Sequence, residues 1–169
     1  NQSPNIIFIM SDDHTSQAWG IYGGVLEKYA INQNIKRLAA EGVVLDNAFC
    51  TNSICVPSRA SILTGQYSHM NQVYTLSDAL HAHQLNVAQL IQKSGYQTAL
   101  IGKWHLNSDL GSDVEPQPID QGFDYFYGHN AFQIPTNRNP TNIYRNGKLL
   151  PKQKGFTAEL YVTEAIEWL

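Results

Sequence analysis

The chain has 169 residues, 43% of them hydrophobic and 15% charged, with a formal net charge of −3. That composition suits a globular protein with one buried core, and it excludes both a basic surplus for nucleic acid and an apolar run long enough to span a membrane. Any anion must therefore be bound by a local cluster of groups, not by global charge.

The chain opens on Asn1-Gln2-Ser3-Pro4 with no initiating methionine, which a removed signal peptide or a trimmed terminus would explain. The run Asn5-Ile6-Ile7-Phe8-Ile9-Met10 is short, apolar and rich in β-branched and aromatic residues, the pattern of a strand buried on both faces of a parallel sheet. Asp12 and Asp13 follow at once. Ligands bind beyond the carboxyl ends of strands in open α/β sheets, and two adjacent carboxylates there call for a cation. Oxygen donors of this kind suit Ca²⁺ or Mg²⁺; the competing reading is that one aspartate caps a helix or turn. Further on, Asn34 is set to cap a short helix whose Ile35, Leu38 and Ala39 face inward, with Gly42 as its stop and Val43-Val44-Leu45 returning as a strand.

Cys50 and Cys55 form a single C-x4-C pair, a weak zinc signal without a second pair. Cys50 is assigned to the core or to a partly buried wall beside a site. Pro57 suits the first helical position and Gly65 the stop, so Cys55 precedes a short helix. The free amides and dipole at such an N-terminus favour anions, and Arg59, at i+4 from Cys55, adds a planar fork of donors. Taken alone, a lone cysteine is more often a small buried apolar residue.

Val87, Leu90 and Ile91 continue as an apolar helical pattern that Gly95 ends, and Tyr96 to Leu106 then reads as a strand. Lys103 and His105 lie two apart, which in an extended chain points both side chains to one face. Either residue alone reads as a solvated lysine or a packed histidine. From about Asn107 to Gly155 periodicity weakens, and Pro116, Pro118, Pro135 and Pro140 with Asn137, Asn139, Asn142 and Asn146 imply a long loop region. Within it, Tyr144-Arg145-Asn146-Gly147-Lys148 reads as a hairpin turn. The stretch from Phe156 to Leu169 carries Leu160, Val162, Ala165, Ile166 and Leu169 at helical spacing and lacks a stop signal, so a cut after Leu169 and a further strand are expected.

Two strings, Cys55-Val56-Pro57-Ser58-Arg59 with Thr64-Gly65, and Gly102-Lys103-Trp104-His105-Leu106, together with Asp12-Asp13 resemble the signature of the type I, formylglycine-dependent sulfatases of the alkaline-phosphatase-like superfamily. The resemblance covers essentially the whole chain. It implies an α/β fold with a mostly parallel sheet flanked by helices, residues 1–169 forming the N-terminal part of the catalytic domain. It implies that a separate formylglycine-generating enzyme oxidises Cys55, that one hydroxyl of the hydrate attacks sulfur to give a covalent sulfoenzyme, and that the other expels sulfate. Carried over by position, Arg59 belongs to the catalytic set, Lys103 binds the sulfate and the formylglycine, and His105 hydrogen-bonds the hydroxyl that eliminates sulfate, serving as its base. Calcium, with magnesium as the substitute, would sit on Asp12, Asp13 and the modified Cys55.

The segments Gly122 to Asn130 and Asn142 to Gly147 also look like sulfatase segments near the substrate mouth, and His129 is the candidate for touching the alcohol part of the substrate; a structural hydrogen bond within the loop is the alternative. The family's later acid and amide metal ligands, second histidine and second lysine are not found, so this stretch alone should turn over little substrate. The expected reaction is hydrolysis of a sulfate monoester on a sugar, in an exported protein of the periplasm, the extracellular space or the lysosome. Phosphonate monoester or phosphodiester hydrolysis, and anion or glycan binding without catalysis, are the open alternatives.

Overall fold

The computed structural model describes residues 3–107, 117–129 and 138–169, and the chain divides into two compact units, Asn1–Phe49 and Cys50–Leu169. Of the loop residues named above, Pro116, Asn130, Pro135 and Asn137 lie outside the described residues.

In the first unit the helix α1 spans Gln33–Glu41 and ends at Gly42. Asn32, not Asn34, stands at its N-cap, and its side chain is used elsewhere: Oδ1 accepts from the Gly20 amide at 3.1 Å and Nδ2 donates to the Ala18 carbonyl at 3.1 Å. Leu38 is exposed, so only Ile35 and Ala39 of the expected inner face are partly covered. The run at 5–10 forms no strand and stays open to solvent, Phe8 at 71% and Ile9 at 85% exposure, and Val43 to Leu45 likewise forms no strand. A doubly buried strand needs neighbours on both edges to take up its amides and carbonyls, and the described residues supply none here.

The second unit holds the core. Helix α2 spans Cys55–Thr64 and turns out at Gly65, whose φ of 67° and amide bond to the Ser61 carbonyl make the left-handed cap that glycine allows. Helix α3 spans Ser68–Asn71 and α4 spans Val87–Lys93. Asn86 and Gln89 close a reciprocal capping box at the start of α4. Strand β1, Ala99–Lys103, follows, as the helix-to-strand pattern predicts.

The stretch expected to be loop contains β2, Tyr125–His129, which pairs in parallel with β1 from Ala99↔Tyr125 to Lys103↔His129. Tyr-Phe-Tyr is strongly strand-forming, but the prolines and asparagines on either side hide it from a reading by periodicity. Strands β3, Tyr144–Arg145, and β4, Lys148–Leu149, form the expected hairpin with Asn146 and Gly147 both at positive φ, and β3 pairs antiparallel with β2. The α/β class is as expected; the sheet is mixed, in the order β1-β2-β3-β4.

Val56 and Ala60 of α2 pack with Val73, Leu80, Trp104, Leu106 and Phe126 in one core cluster, with Leu63 against it. Those α2 positions recur at i, i+4 and i+7, which gives the helix one apolar stripe. The two parallel strands meet unusually closely at their carboxyl ends: a Cβ at Gly128 would overlap the Gly102 carbonyl oxygen, and Gly102 itself holds φ at 118°.

Helix α5, Thr157–Trp168, lies on the sheet face carrying Tyr125, Tyr127 and His129, which alternate along β2. Its contact is more polar than the apolar spacing suggests, since Val162 and Ile166 are exposed while Glu164 pairs with Arg145 at 2.7 Å and accepts from the Tyr125 hydroxyl. Desolvation, then the Glu164 carboxylate, holds the Tyr125 phenol up to about 12.

Two outcomes test this packing in the full-length protein. Gly128→Ala forces the strand ends apart and should lower stability by about 1–3 kcal/mol, read as a lower urea midpoint; an unchanged midpoint would show that the strands do not meet so closely. Because the Tyr125 phenol titrates near 10 when unfolded and higher when folded, its contribution should be complete below about pH 10 and fade towards about pH 12. Tyr125→Phe should flatten that decline in a pH series of denaturation curves.

Candidate active site

Cys55 is the first residue of α2 and is half-buried. Pro57 is therefore the third helical residue, not the first. The shift costs nothing, because its missing N–H is still one of the amides without an intrahelical acceptor; the first bond of the helix runs from the Ser58 amide to the Ile54 carbonyl at 2.9 Å. Ile54 offers no capping side chain, so the amides of the first turn are not met by a cap. Cys55 and Arg59 lie one position before Val56 and Ala60, which puts the two residues along the rim of the apolar stripe and leaves them half-covered.

Arg59 reaches across 44 residues: its Nη1 donates to the Lys103 carbonyl at 2.6 Å. The N-terminal half of α2 is thereby fastened to the last residue of β1. Lys103 in turn is in register with His129, the last residue of β2, and the Trp104 amide continues the ladder by donating to the His129 carbonyl at 3.0 Å. Arg59, Lys103 and His129 are thus gathered at the carboxyl end of the parallel pair, where α/β sheets bind ligands. Cys55 stands one helical turn before Arg59.

His105 departs from the strand geometry that its spacing suggested. β1 ends at Lys103, and His105 takes φ of 54° and is buried to 2% exposure between Trp104 and Leu106, both of which are core residues. A left-handed conformation costs a non-glycine residue about 1–3 kcal/mol, and such residues cluster at functional sites. Asn107, fully buried two residues on, has neither its amide nitrogen nor its carbonyl oxygen hydrogen-bonded among the described residues. Each such group costs about 1–3 kcal/mol. Strain and an unmet polar side chain therefore fall together just beyond β1.

His129 is 6% exposed, and its Nδ1 lies 2.8 Å from the Tyr161 hydroxyl. Cys50 is exposed, against the expectation of a core or wall position, and its Sγ sits 3.1 Å from the Asn52 carbonyl and 3.3 Å from the Ser58 hydroxyl. Asp12 and Asp13 belong to the first unit, exposed in a turn after the apolar run, with Asp13 at φ of 53°. Among the described residues no three or more His, Cys, Asp or Glu side chains gather as a metal cage. Sequence reasoning passes over Tyr161 and Asn107; the signal for Tyr161 is its place at i−3 from Glu164, which puts the two side chains on one face of the helix.

In this α/β fold a helix N-terminus bearing a cysteine is thus tied by arginine to the end of a parallel strand. The sulfatase family model matches residues 4–169, and the chain belongs to the sulfatase family. It is 38% identical over 166 residues to an N-acetylglucosamine-6-O-sulfatase of Bacteroides thetaiotaomicron, which covers 98% of this chain and 27% of that protein. Human steryl-sulfatase is 37% identical over 138 residues, covering 74% of this chain and 23% of that protein. Among solved structures, BT4656 in complex with its substrate D-glucosamine-2-N,6-O-disulfate superposes with a TM-score of 0.83 at 38% identity, covering 99% of this chain and 31% of that one. The chain spans about a quarter of the length of the curated relatives it matches. Among the described residues, no helix is long and apolar enough to cross a membrane.

Removing the Arg59 fork should leave the Lys103 carbonyl without that donor. Arg59→Ala is expected to cost the full-length protein about 1.5–3 kcal/mol, the worth of a hydrogen bond to a charged group, and Arg59→Lys to recover only part of it. Chemical denaturation reads the difference; equal stability of all three would show that the bond anchors nothing.

Proposed function

We propose that the complete protein hydrolyses a sulfate monoester on a glucosamine-type sugar, using a formylglycine made from Cys55. The observation that carries this reading is the Arg59–Lys103 tie, which gives the cysteine at the start of α2 a cationic neighbour fixed to the end of the sheet. Membership of the family and the names of its relatives support the reaction. The substrate class rests on the 38% identity to an N-acetylglucosamine-6-O-sulfatase and on the disulfated glucosamine bound by the structural neighbour. Steryl-sulfatase at 37% identity shows that overall identity alone does not select the alcohol.

The half-buried position of Cys55 in the first turn of a helix suits the modification, since the side chain is accessible yet bordered by amide donors. Once formed, the hydrated aldehyde supplies two hydroxyls that an ordinary side chain lacks. Arg59 and the first-turn amides of α2 favour negative charge beside that group. Lys103 neutralises a sulfate oxygen, and His105 faces the hydroxyl that expels sulfate as its base. His129 binds a hydroxyl of the sugar. Asp12 and Asp13 are hard oxygen donors of the kind calcium or magnesium takes, and would supply part of an oxygen set around such a cation, whose chemistry is to neutralise charge on a transferring group. Maturation by a formylglycine-generating enzyme and an exported location, periplasmic, secreted or lysosomal, follow from the same reading.

For the full-length protein, the peptide bearing Cys55 should lose its sulfur in favour of an aldehyde by mass spectrometry. Release of sulfate from glucosamine 6-sulfate should vanish in Cys55→Ala while the fold is kept. Turnover retained by that variant would remove Cys55 as source of the nucleophile, and faster cleavage of a matched phosphodiester would overturn the sulfatase reading.

A further inference from the structure

We propose that the ribbon from Arg138 to Phe156 is an interaction surface for a polyanionic saccharide, holding anionic groups of the chain other than the sulfate that is cleaved. That the sulfate is cleaved rests on the function proposed above; the surface itself does not. Five of the eleven Lys and Arg residues, Arg138, Arg145, Lys148, Lys152 and Lys154, fall between these limits, and none of the fourteen Asp and Glu residues does. The protein as a whole carries a net charge of −3, so the basic character is local to this stretch. Lys148, Lys152 and Lys154 are exposed, and among the described residues none of the three is paired with a carboxylate. The nearest acid in sequence, Glu159, lies outside the ribbon in the first turn of α5, and Glu164 is already taken up by Arg145.

Backbone pairing holds the ribbon in shape. The Leu150 amide donates to the Ile143 carbonyl at 2.8 Å, the Gln153 amide to the Pro140 carbonyl at 2.9 Å and the Asn139 amide to the Gly155 carbonyl at 2.8 Å, and an antiparallel bridge joins Arg138 to Phe156. At that base the Arg138 guanidinium carbon sits 5.3 Å from the centre of the Phe156 ring, which steadies its charge. The register places this base at the reacting end of the sheet. Because β3 pairs Arg145 with Tyr127 and Tyr144 with Gly128, the chain preceding Tyr144 continues towards His129, the carboxyl end of β2. Helix α5 gives the same direction independently: Glu164 meets Tyr125 at the start of β2 and Tyr161 meets His129 at its end, so Phe156, at the N-cap of α5, lies towards that end. Lys152 and Lys154, just before Phe156, therefore belong to the end of the sheet that carries Lys103 and His129. Each exposed ion pair is worth only a few-fold in affinity, so a row of unpaired lysines favours a ligand that carries several anionic groups over one that carries a single sulfate.

The test is the affinity of the full-length protein for a heparin tetrasaccharide, which carries several sulfates and carboxylates, measured by calorimetry at low and at physiological salt. In the double variant K152Q/K154Q its Kd should rise roughly fivefold at low salt and less at physiological salt, with kcat/KM on glucosamine 6-sulfate unchanged. Lys93→Gln, at the end of α4 before β1 begins, controls for net charge and should leave the tetrasaccharide affinity as it was. An unaltered Kd in K152Q/K154Q would overturn the proposal, as would an equal loss in Lys93→Gln. Tighter binding of a single-stranded DNA oligonucleotide of equal charge, lost in the same double variant, would reassign the surface to nucleic acid and overturn it too. If the double variant weakens tetrasaccharide binding while the unaltered protein releases no sulfate from any sugar, the surface stands and the proposed hydrolysis fails.

Discussion

The hydrogen bond from the Arg59 guanidinium to the Lys103 carbonyl, 2.6 Å long, joins two segments that lie 44 residues apart. Its donor belongs to the helix that begins at Cys55 and its acceptor is the last residue of β1, so the bond fixes where a helix N-terminus meets the end of a strand. An arginine satisfies such a carbonyl without surrendering its charge. One donor of the planar fork, Nη1, is spent on the backbone, and the guanidinium keeps its positive charge. The apolar stripe of Val56 and Ala60 against Trp104 and Leu106 supplies the burial that makes this polar tie worth keeping.

A second constraint sits at the same end of the sheet. Gly102 and Gly128 let the backbones of β1 and β2 approach until no side chain fits between them, and the residues that follow, Lys103 and His129, end the two strands side by side. The chain then turns through His105 in a left-handed conformation and continues into a buried Asn107 whose side-chain polar atoms are unmet among the described residues. Close approach, backbone strain and unmet hydrogen-bonding capacity are each unfavourable for folding. Their coincidence at one sheet edge fits the pattern in which a protein departs from local rules where its chemistry is done.

Short-range signals made much of this legible in the sequence. Gly65 and Gly95 marked real stops, Asn146-Gly147 marked a real hairpin, and the alternation of helix and strand around Val87 to Lys103 was readable from apolar spacing. Lys103 and His105 are singled out by motif, but the extended spacing misjudges His105, because β1 ends at Lys103 and the chain turns two residues on at the cost of positive φ. β2 was hidden by flanking prolines and asparagines, whose turn signal outweighs five residues of strand propensity. The apolar run at 5–10 failed in the opposite direction: its composition describes an interior strand, yet composition cannot supply the flanking strands that would seat it. Tyr161 was missed because the helix was read for its apolar residues, whereas the contact with the sheet is made by a tyrosine and a glutamate.

The proposed function requires that Cys55, Arg59, Lys103 and His105 address one tetrahedral oxyanion in the full-length protein. The most direct measurement is the crystal structure of the matured full-length protein with bound vanadate. Vanadate is expected within hydrogen-bonding reach of the group derived from Cys55, of Arg59 and of the Lys103 Nζ. Vanadate bound away from α2 and the end of β1 would contradict that reading.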